Sequence, residues 1–177
     1  MRVYSVLIIV FCNMKLLKEF KVPETWNWWK KKVRESCRAV VFDDKGLIPI
    51  IFMSKKNYHK LPGGWVEWSE DKIETLKREL LEEAWCNIEV TKEMWIVSEW
   101  NSTEENISYC YVWKVLNKWF EKNLTTEEIE RWLELKRMNI DEAISTLEKD
   151  MPNDPYGYRI LERDLFILLQ AKEGLTN

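Results

Sequence analysis

The chain is 177 residues long, which is room for one domain of ordinary size and short of two. With 46% hydrophobic and 32% charged residues it can bury a core, so compositional disorder is excluded. A net charge of −3, from 27 basic and 30 acidic residues, gives no general attraction for nucleic acid or an anionic membrane, and neither is expected as a partner.

Cys12, Cys37, Cys86 and Cys110 are scattered, with no C-x-x-C pair. That excludes a disulfide scaffold or a zinc ribbon and predicts free buried thiols in a reducing cytoplasm. The chain has 11 Trp and only 5 Gly, where ordinary usage of about 7% gives roughly 12 Gly.

Val3 to Val10 is an apolar run behind Arg2, too short to span a bilayer and without a small-residue cleavage site. Met14 then opens MKLLKEF, a second plausible start. Residues 1–34 are read as an N-terminal extension, in which residues 1–13 are either non-native or disordered; a signal or anchor is the other reading. Residues 35–172 are read as one domain. Ser36 to Phe42 reads as a strand, Asp43-Asp44-Lys45-Gly46 as a turn and Leu47 to Met53 as a second strand, together predicting a hairpin. A polar loop from Ser54 to Lys60 leads to Leu61-Pro62-Gly63-Gly64. Glu70 to Ala84 is the clearest helix: Ile73, Leu76, Leu80 and Ala84 share one face, and Ser69 is placed to cap it. Ile88 to Trp100, Ile107 to Leu116 and Leu133 to Ile140 read as strands, with a short helix or loop at Thr125 to Arg131. Asp141 is read as the cap of a helix through Leu147, and Tyr156 to Lys172 as a closing amphipathic helix. Strands interleaved with few helices predict a mixed α+β domain.

The informative segment is GWVEWSEDKIETLKRELLEEAWC, from Gly64 to Cys86. Glu79, Glu82 and Glu83 are spaced i, i+3, i+4 and share one helix face beside the apolar stripe. Three like charges at the edge of a core call for something positive, and a hard divalent cation takes oxygen ligands and substrate phosphates. Arg78 and Glu70 are placed to pair and lock loop to helix. Gly63 and Gly64 let backbone approach an ion or a phosphate closely. An acidic helix face in solvent is the plain alternative.

The whole segment resembles the Nudix box, G-x5-E-x7-R-E-U-x-E-E-x-G-U with U a bulky apolar residue. Gly64, Glu70, Arg78, Glu79, Leu80, Glu82 and Glu83 all match, Cys86 fills the last apolar position weakly, and Trp85 stands where the family has Gly. The resemblance implies a Nudix-like α/β/α sandwich with a mixed sheet in a single domain. It implies a hydrolase acting on acid anhydrides, cleaving the diphosphate linkage of a nucleoside diphosphate joined to another moiety. A house-cleaning nucleoside triphosphate pyrophosphohydrolase and a non-catalytic nucleotide-binding module are the alternatives. It also implies that Glu79, Glu82, Glu83 and the Gly63 carbonyl hold Mg2+ or Mn2+, that Glu70 and Arg78 shape the site, and that no organic cofactor takes part. The general base is Glu79 or a later acid among Glu127, Glu128 and Glu130, whose other reading is an acidic helix in solvent. Lys55, Lys56, His59 and Lys60 surround the approach to LPGG, either to meet phosphate or as a solvated loop; Lys60, Gly64 and Glu130 are the substrate candidates. Tyr58, Trp100 and Tyr109 can stack on a base or simply pack. The partner expected is a small nucleotide.

Trp65 stands where the family often has Gly, and Trp119 and Trp132 lie in apparent turns. With Trp85, these positions carry two readings. One is that a codon read as glycine in the organism has been written as tryptophan; the other is tolerated drift or real stacking residues. UGA codons at Trp65, Trp85, Trp119 and Trp132 would establish the first, and UGG codons the second.

Overall fold

The computed structural model describes residues 15–20, 32–86, 88, 95–100, 104–114 and 133–176. Strands β1 (Lys15–Phe20), β2 (Lys32–Phe42), β3 (Ile48–Met53) and β4 (Tyr58–Lys60) precede helix α1 (Lys72–Ala84). Strands β5 (Trp95–Trp100), β6 (Glu104–Lys114) and β7 (Leu133–Met138) follow, then α2 (Ile140–Lys149) and α3 (Pro155–Thr176). The expected strand at 88–100 is described from Trp95 on; the segment at 125–131 lies outside the described residues.

Strands β1-β5-β6-β2 form a mixed sheet: β1 is parallel to β5, β5 antiparallel to β6, and β6 parallel to β2. Strands β4-β3-β7 form a second, antiparallel sheet. β1 falls inside the segment read as an N-terminal extension.

Alternation along β2 builds the layers, because successive side chains of a strand point to opposite faces. Cys37, Ala39 and Val41 pack with Tyr111 of β6 and with Leu76, Leu80 and Ala84 of α1. Val40 and Phe42 pack on the other side with Ala143, Ile144 and Leu147 of α2 and Ile167, Leu168 and Ala171 of α3. Helices on both sides of a mixed sheet make the α/β/α sandwich that the box resemblance implies. Leu76 and Leu80 are both fully buried, each contributing about 1.5–3 kcal/mol.

Three local expectations are corrected. The β2–β3 hairpin does not form, although its turn does: Asp43 N donates to the Leu47 carbonyl at 2.9 Å and Gly46 sits at φ +75°. One edge of β2 pairs with β6, and along Glu35–Ala39 the other is taken by the LPGG segment. There Cys37 N donates to the Gly64 carbonyl at 2.9 Å, Ala39 N to the Pro62 carbonyl at 3.3 Å, and Val66 N to the Glu35 carbonyl at 2.9 Å. β3 is left to pair in the second sheet. The cap of α1 is Asp71, not Ser69: the Asp71 side chain accepts from Ile73 N and Glu74 N, and Glu74 returns a bond to Asp71 N. Ser69 sits at φ +79° in the preceding turn. The cap of α2 is Asn139, not Asp141, with Glu142 completing the box. In both helices a reciprocal pair satisfies two orphan N–H groups where a single side chain satisfies one.

Candidate active site

The LPGG turn lies between β2 and α1, held to β2 by the hydrogen bonds above. Gly63 has φ +129°, and a Cβ there would stand 2.1 Å from the Cys37 carbonyl oxygen, so only glycine fits. A Cβ on Gly64 would stand 2.0 Å from Oε1 of Glu79. The two glycines therefore let the turn lie flat against β2 on one side and against the α1 carboxylates on the other.

Arg78 of α1 organises the entry. Its Nε and Nη2 donate to the two Glu70 oxygens at 2.7 and 2.9 Å, a bidentate pair, while Nη2 also donates to the Trp65 carbonyl at 3.2 Å and Nη1 to Glu79 at 2.9 Å. Those bonds from Arg78, ahead of one from the Thr75 hydroxyl, hold the Glu70 carboxyl down at about 2. The expected loop-to-helix lock is thus present.

Glu83 accepts from Gly63 N at 2.9 Å and from the Lys60 ammonium at 2.7 and 3.0 Å. Burial, and then the neighbouring Glu83 charge, push the Glu79 carboxyl above its usual range. Glu82 is the outer member: its side chain is 46% exposed and 3.8 Å from Arg78, against 13% exposure for Glu79 and Glu83. The structure gathers Glu79, Glu83 and the Gly63 and Gly64 backbone in one place, with Glu82 at its rim. Among the described residues no three carboxylate, histidine or cysteine side chains converge closely enough to cage an ion as they stand.

A model of the NUDIX domain matches residues 32–159, well over half of the chain. The chain belongs to the Nudix family. Nudix hydrolases break phosphoanhydride bonds, so the enzyme class implied by the box, a pyrophosphohydrolase acting on acid anhydrides, rests on membership as well as on motif. The Nudix fold recurs in solved structures. The MutT protein from Methanosarcina mazei Go1 matches at 16% identity and TM-score 0.55, over 84% of this chain and 99% of that one. The E. coli ORF135 protein matches at 22% identity and TM-score 0.53, over 82% and 96%. A NUDIX hydrolase from Nitrosomonas europaea matches at 19% and TM-score 0.52, over 74% and 87%. The chain spans 64% of the length of a UDP-X diphosphatase, matched over 81% of this chain at 20% identity and TM-score 0.49. A search of curated protein sequences returned no match.

In this Nudix chain the remaining candidates scatter. His59 is not a loop residue but part of β4. It is buried, with Nδ1 2.9 Å from Asp150 and Nε2 3.2 Å from the Lys136 ammonium, and it braces β4 against the end of α2. Lys56 pairs with Asp154 at 2.6 Å, and Lys55 is exposed. Tyr58 is buried against the Gly157 backbone. The Tyr109 hydroxyl donates to Glu35 at 2.5 Å, and the Lys72 ammonium lies 4.3 Å from its ring centre. Glu127, Glu128, Glu130, Trp119 and Trp132 lie outside the described residues, as does the Trp100 side chain. Trp85 ends α1 at φ 49° and ψ 39°, the left-handed conformation that explains the family's glycine. Trp65 has no such strain: it bridges to Ser36, and the Arg34 guanidinium lies 5.3 Å from its ring centre. A glycine requirement is therefore visible at Trp85 and not at Trp65.

Sequence reasoning missed two supports. Asp164 of α3 is fully buried and accepts from Leu61 N at 2.8 Å, fixing the turn from behind; Arg163 holds its other oxygen at 2.8 Å and reaches Glu99 at 3.3 Å. The signal was available: Arg163 and Asp164 interrupt the apolar stripe Ile160, Ile167, Leu168, Ala171 at positions that face the core. Arg38, 6% exposed, lies below the turn and donates to the Gly64 carbonyl at 3.2 Å.

Proposed function

We propose that this chain is a divalent-metal-dependent hydrolase that cleaves the diphosphate linkage of a nucleoside diphosphate joined to another moiety. The observation that carries the reading is the like-charged pair Glu79 and Glu83, set at the edge of the core against a turn whose two glycines expose their backbone to it. Oxygen donors of this kind suit Mg2+ or Mn2+, and Glu79 is raised first by burial and then by the neighbouring Glu83 charge, so a cation beside the two would favour its ionised form. Glu79, Glu82, Glu83 and the Gly63 carbonyl would hold the ion. When bound, it would neutralise charge on the diphosphate and make water a better nucleophile.

The chain's own residues do the rest. Arg78 keeps Glu70 and Glu79 oriented, so the carboxylate is pre-positioned when substrate enters. Glu79, or a later acid among Glu127, Glu128 and Glu130, would take a proton from the attacking water. Lys60 and the Gly64 backbone lie beside these carboxylates as substrate contacts, and Glu130 completes the set as a candidate outside the described residues. The protein works in the cytoplasm in this reading, supported by the buried free thiols Cys37, Cys86 and Cys110. Among the described residues no helix is long and apolar enough to cross a membrane.

A product-release screen with Mg2+ over nucleotide sugars, dinucleotides and nucleoside triphosphates tests the proposal, with Glu83→Gln beside the wild type. The expected result is Mg2+-dependent cleavage of a diphosphate-linked nucleotide, abolished in a folded Glu83→Gln variant. A near-wild-type rate in that variant would remove the ligand assignment, and a preference for triphosphates would move the substrate to the house-cleaning class.

A further inference from the structure

Lys60 makes a contact that substrate binding does not explain. Its ammonium nitrogen lies 2.7 and 3.0 Å from the two oxygens of Glu83 and 3.2 Å from the Gly63 carbonyl oxygen. Two of the four groups proposed to hold a divalent ion are thus already gathered around one positive atom. The contact is sheltered, since both side chains are only 13% exposed. The root of the lysine is fixed: it ends β4 opposite Ile51, and the next residue is tied to Asp164. The ammonium sits at the end of a flexible four-carbon stem, so it can move while its backbone stays.

An ammonium that touches both Glu83 oxygens and the Gly63 carbonyl occupies the position a divalent ion would take to bind the same three atoms. Mg2+ needs its ligands at about 2.0–2.1 Å in near-octahedral array, and a positive charge on the same carboxylate repels it. We propose that Lys60 is a displaceable counter-ion: its ammonium holds the cation position at Glu83 and the Gly63 carbonyl, and metal binding turns it out. Lys60 thereby keeps Glu83 and the turn in place before the ion arrives, and sets how tightly the ion is held. This inference rests on the metal reading above.

The full chain with 15N-labelled lysine tests it, using Lys60→Met both to assign the Lys60 ammonium signal and to measure Mn2+ affinity by calorimetry. Affinities are compared in 0.5 M NaCl, where the screening length falls to about 4 Å and distant charge effects fade. The expected result is that the wild-type Lys60 ammonium signal shifts or disappears as Mg2+ saturates, and that Lys60→Met binds Mn2+ at least about tenfold more tightly. Equal affinities with an unmoved signal would overturn the inference and leave the metal reading standing. An affinity gain that vanishes in high salt would also overturn it. Absence of binding in both proteins would overturn the metal reading and this one together. Should Lys60→Met fail to fold, Lys60→Arg, which keeps the charge and removes the lysine resonance, assigns the signal, and the response of that signal to Mg2+ in the wild type decides.

Discussion

Adjacent glycines in the LPGG turn should fail in different ways when each is replaced by alanine. At Gly63 the added Cβ would stand 2.1 Å from the Cys37 carbonyl oxygen, backbone that cannot move aside, and the φ of +129° is strained for any other residue. That conformational strain costs about 1–3 kcal/mol. Relieving it pulls the turn off β2 and weakens the bonds from Cys37 N and Ala39 N, each worth about 1 kcal/mol. The sum is about 3–5 kcal/mol, which for a chain of this size lowers Tm by roughly 6–20 °C. At Gly64 the Cβ meets only the end of a flexible side chain, Oε1 of Glu79 at 2.0 Å, and no positive φ adds strain. Glu79 swings away and gives up its bond to Arg78, a loss that water partly replaces, so stability falls by about 1 kcal/mol and Tm by about 2–4 °C. Hydrolysis, however, loses a carboxylate from its place. Thermal melts followed by circular dichroism, beside product-release rates with Mg2+, separate the two. Gly63→Ala should behave as a folding variant and Gly64→Ala as a folded, inactive one. A Gly64→Ala protein with wild-type rate would refute the placement of Glu79 against the turn, and a Gly63→Ala protein with unchanged Tm would refute the contact with β2.

Trp85→Gly should relieve left-handed strain of about 1–2 kcal/mol and raise Tm by roughly 2–8 °C; a fall would show that the contacts of the half-buried indole outweigh the strain. Asp164→Ala should cost about 3–5 kcal/mol in a chemical denaturation series, because it leaves the buried Arg163 guanidinium with Glu99 alone and Leu61 N without its acceptor; a loss below about 1 kcal/mol would show the network to be dispensable. Burial pushes the thiols of Cys37 and Cys86 up to about 12 and that of Cys110 higher still, so a thiol reagent at pH 8 should label none of the three until the protein unfolds. The sign of the accompanying stability change follows: with folded pKa values raised above the ordinary 9.0, their contribution is complete below pH 9 and lost as pH rises toward 12, so the denaturation midpoint should drop across that window.

Several features could be read from local spacing alone. The 3.6-residue period placed α1, the i, i+3, i+4 carboxylates put Glu79, Glu82 and Glu83 on one face, and the eight-residue step from Glu70 to Arg78 was enough to foresee their pair. Trp85 was legible too, because it stands where the box has a glycine, the residue that suits a left-handed helix end. Other features depend on competition between partners distant in the chain. β2 has two edges, and whether β3 or the LPGG turn takes the second depends on the packing of α1, which no window around residues 36–53 contains. The same holds for charge. Local spacing leaves three carboxylates wanting a cation, and the fold answers with Arg78 on one side and Lys60 on the other, while Asp164, 103 residues from Leu61, fixes the turn from behind. Periodicity is a property of neighbouring residues, whereas the choice of partner for a buried charge or a free strand edge is settled only when the whole chain has closed around it.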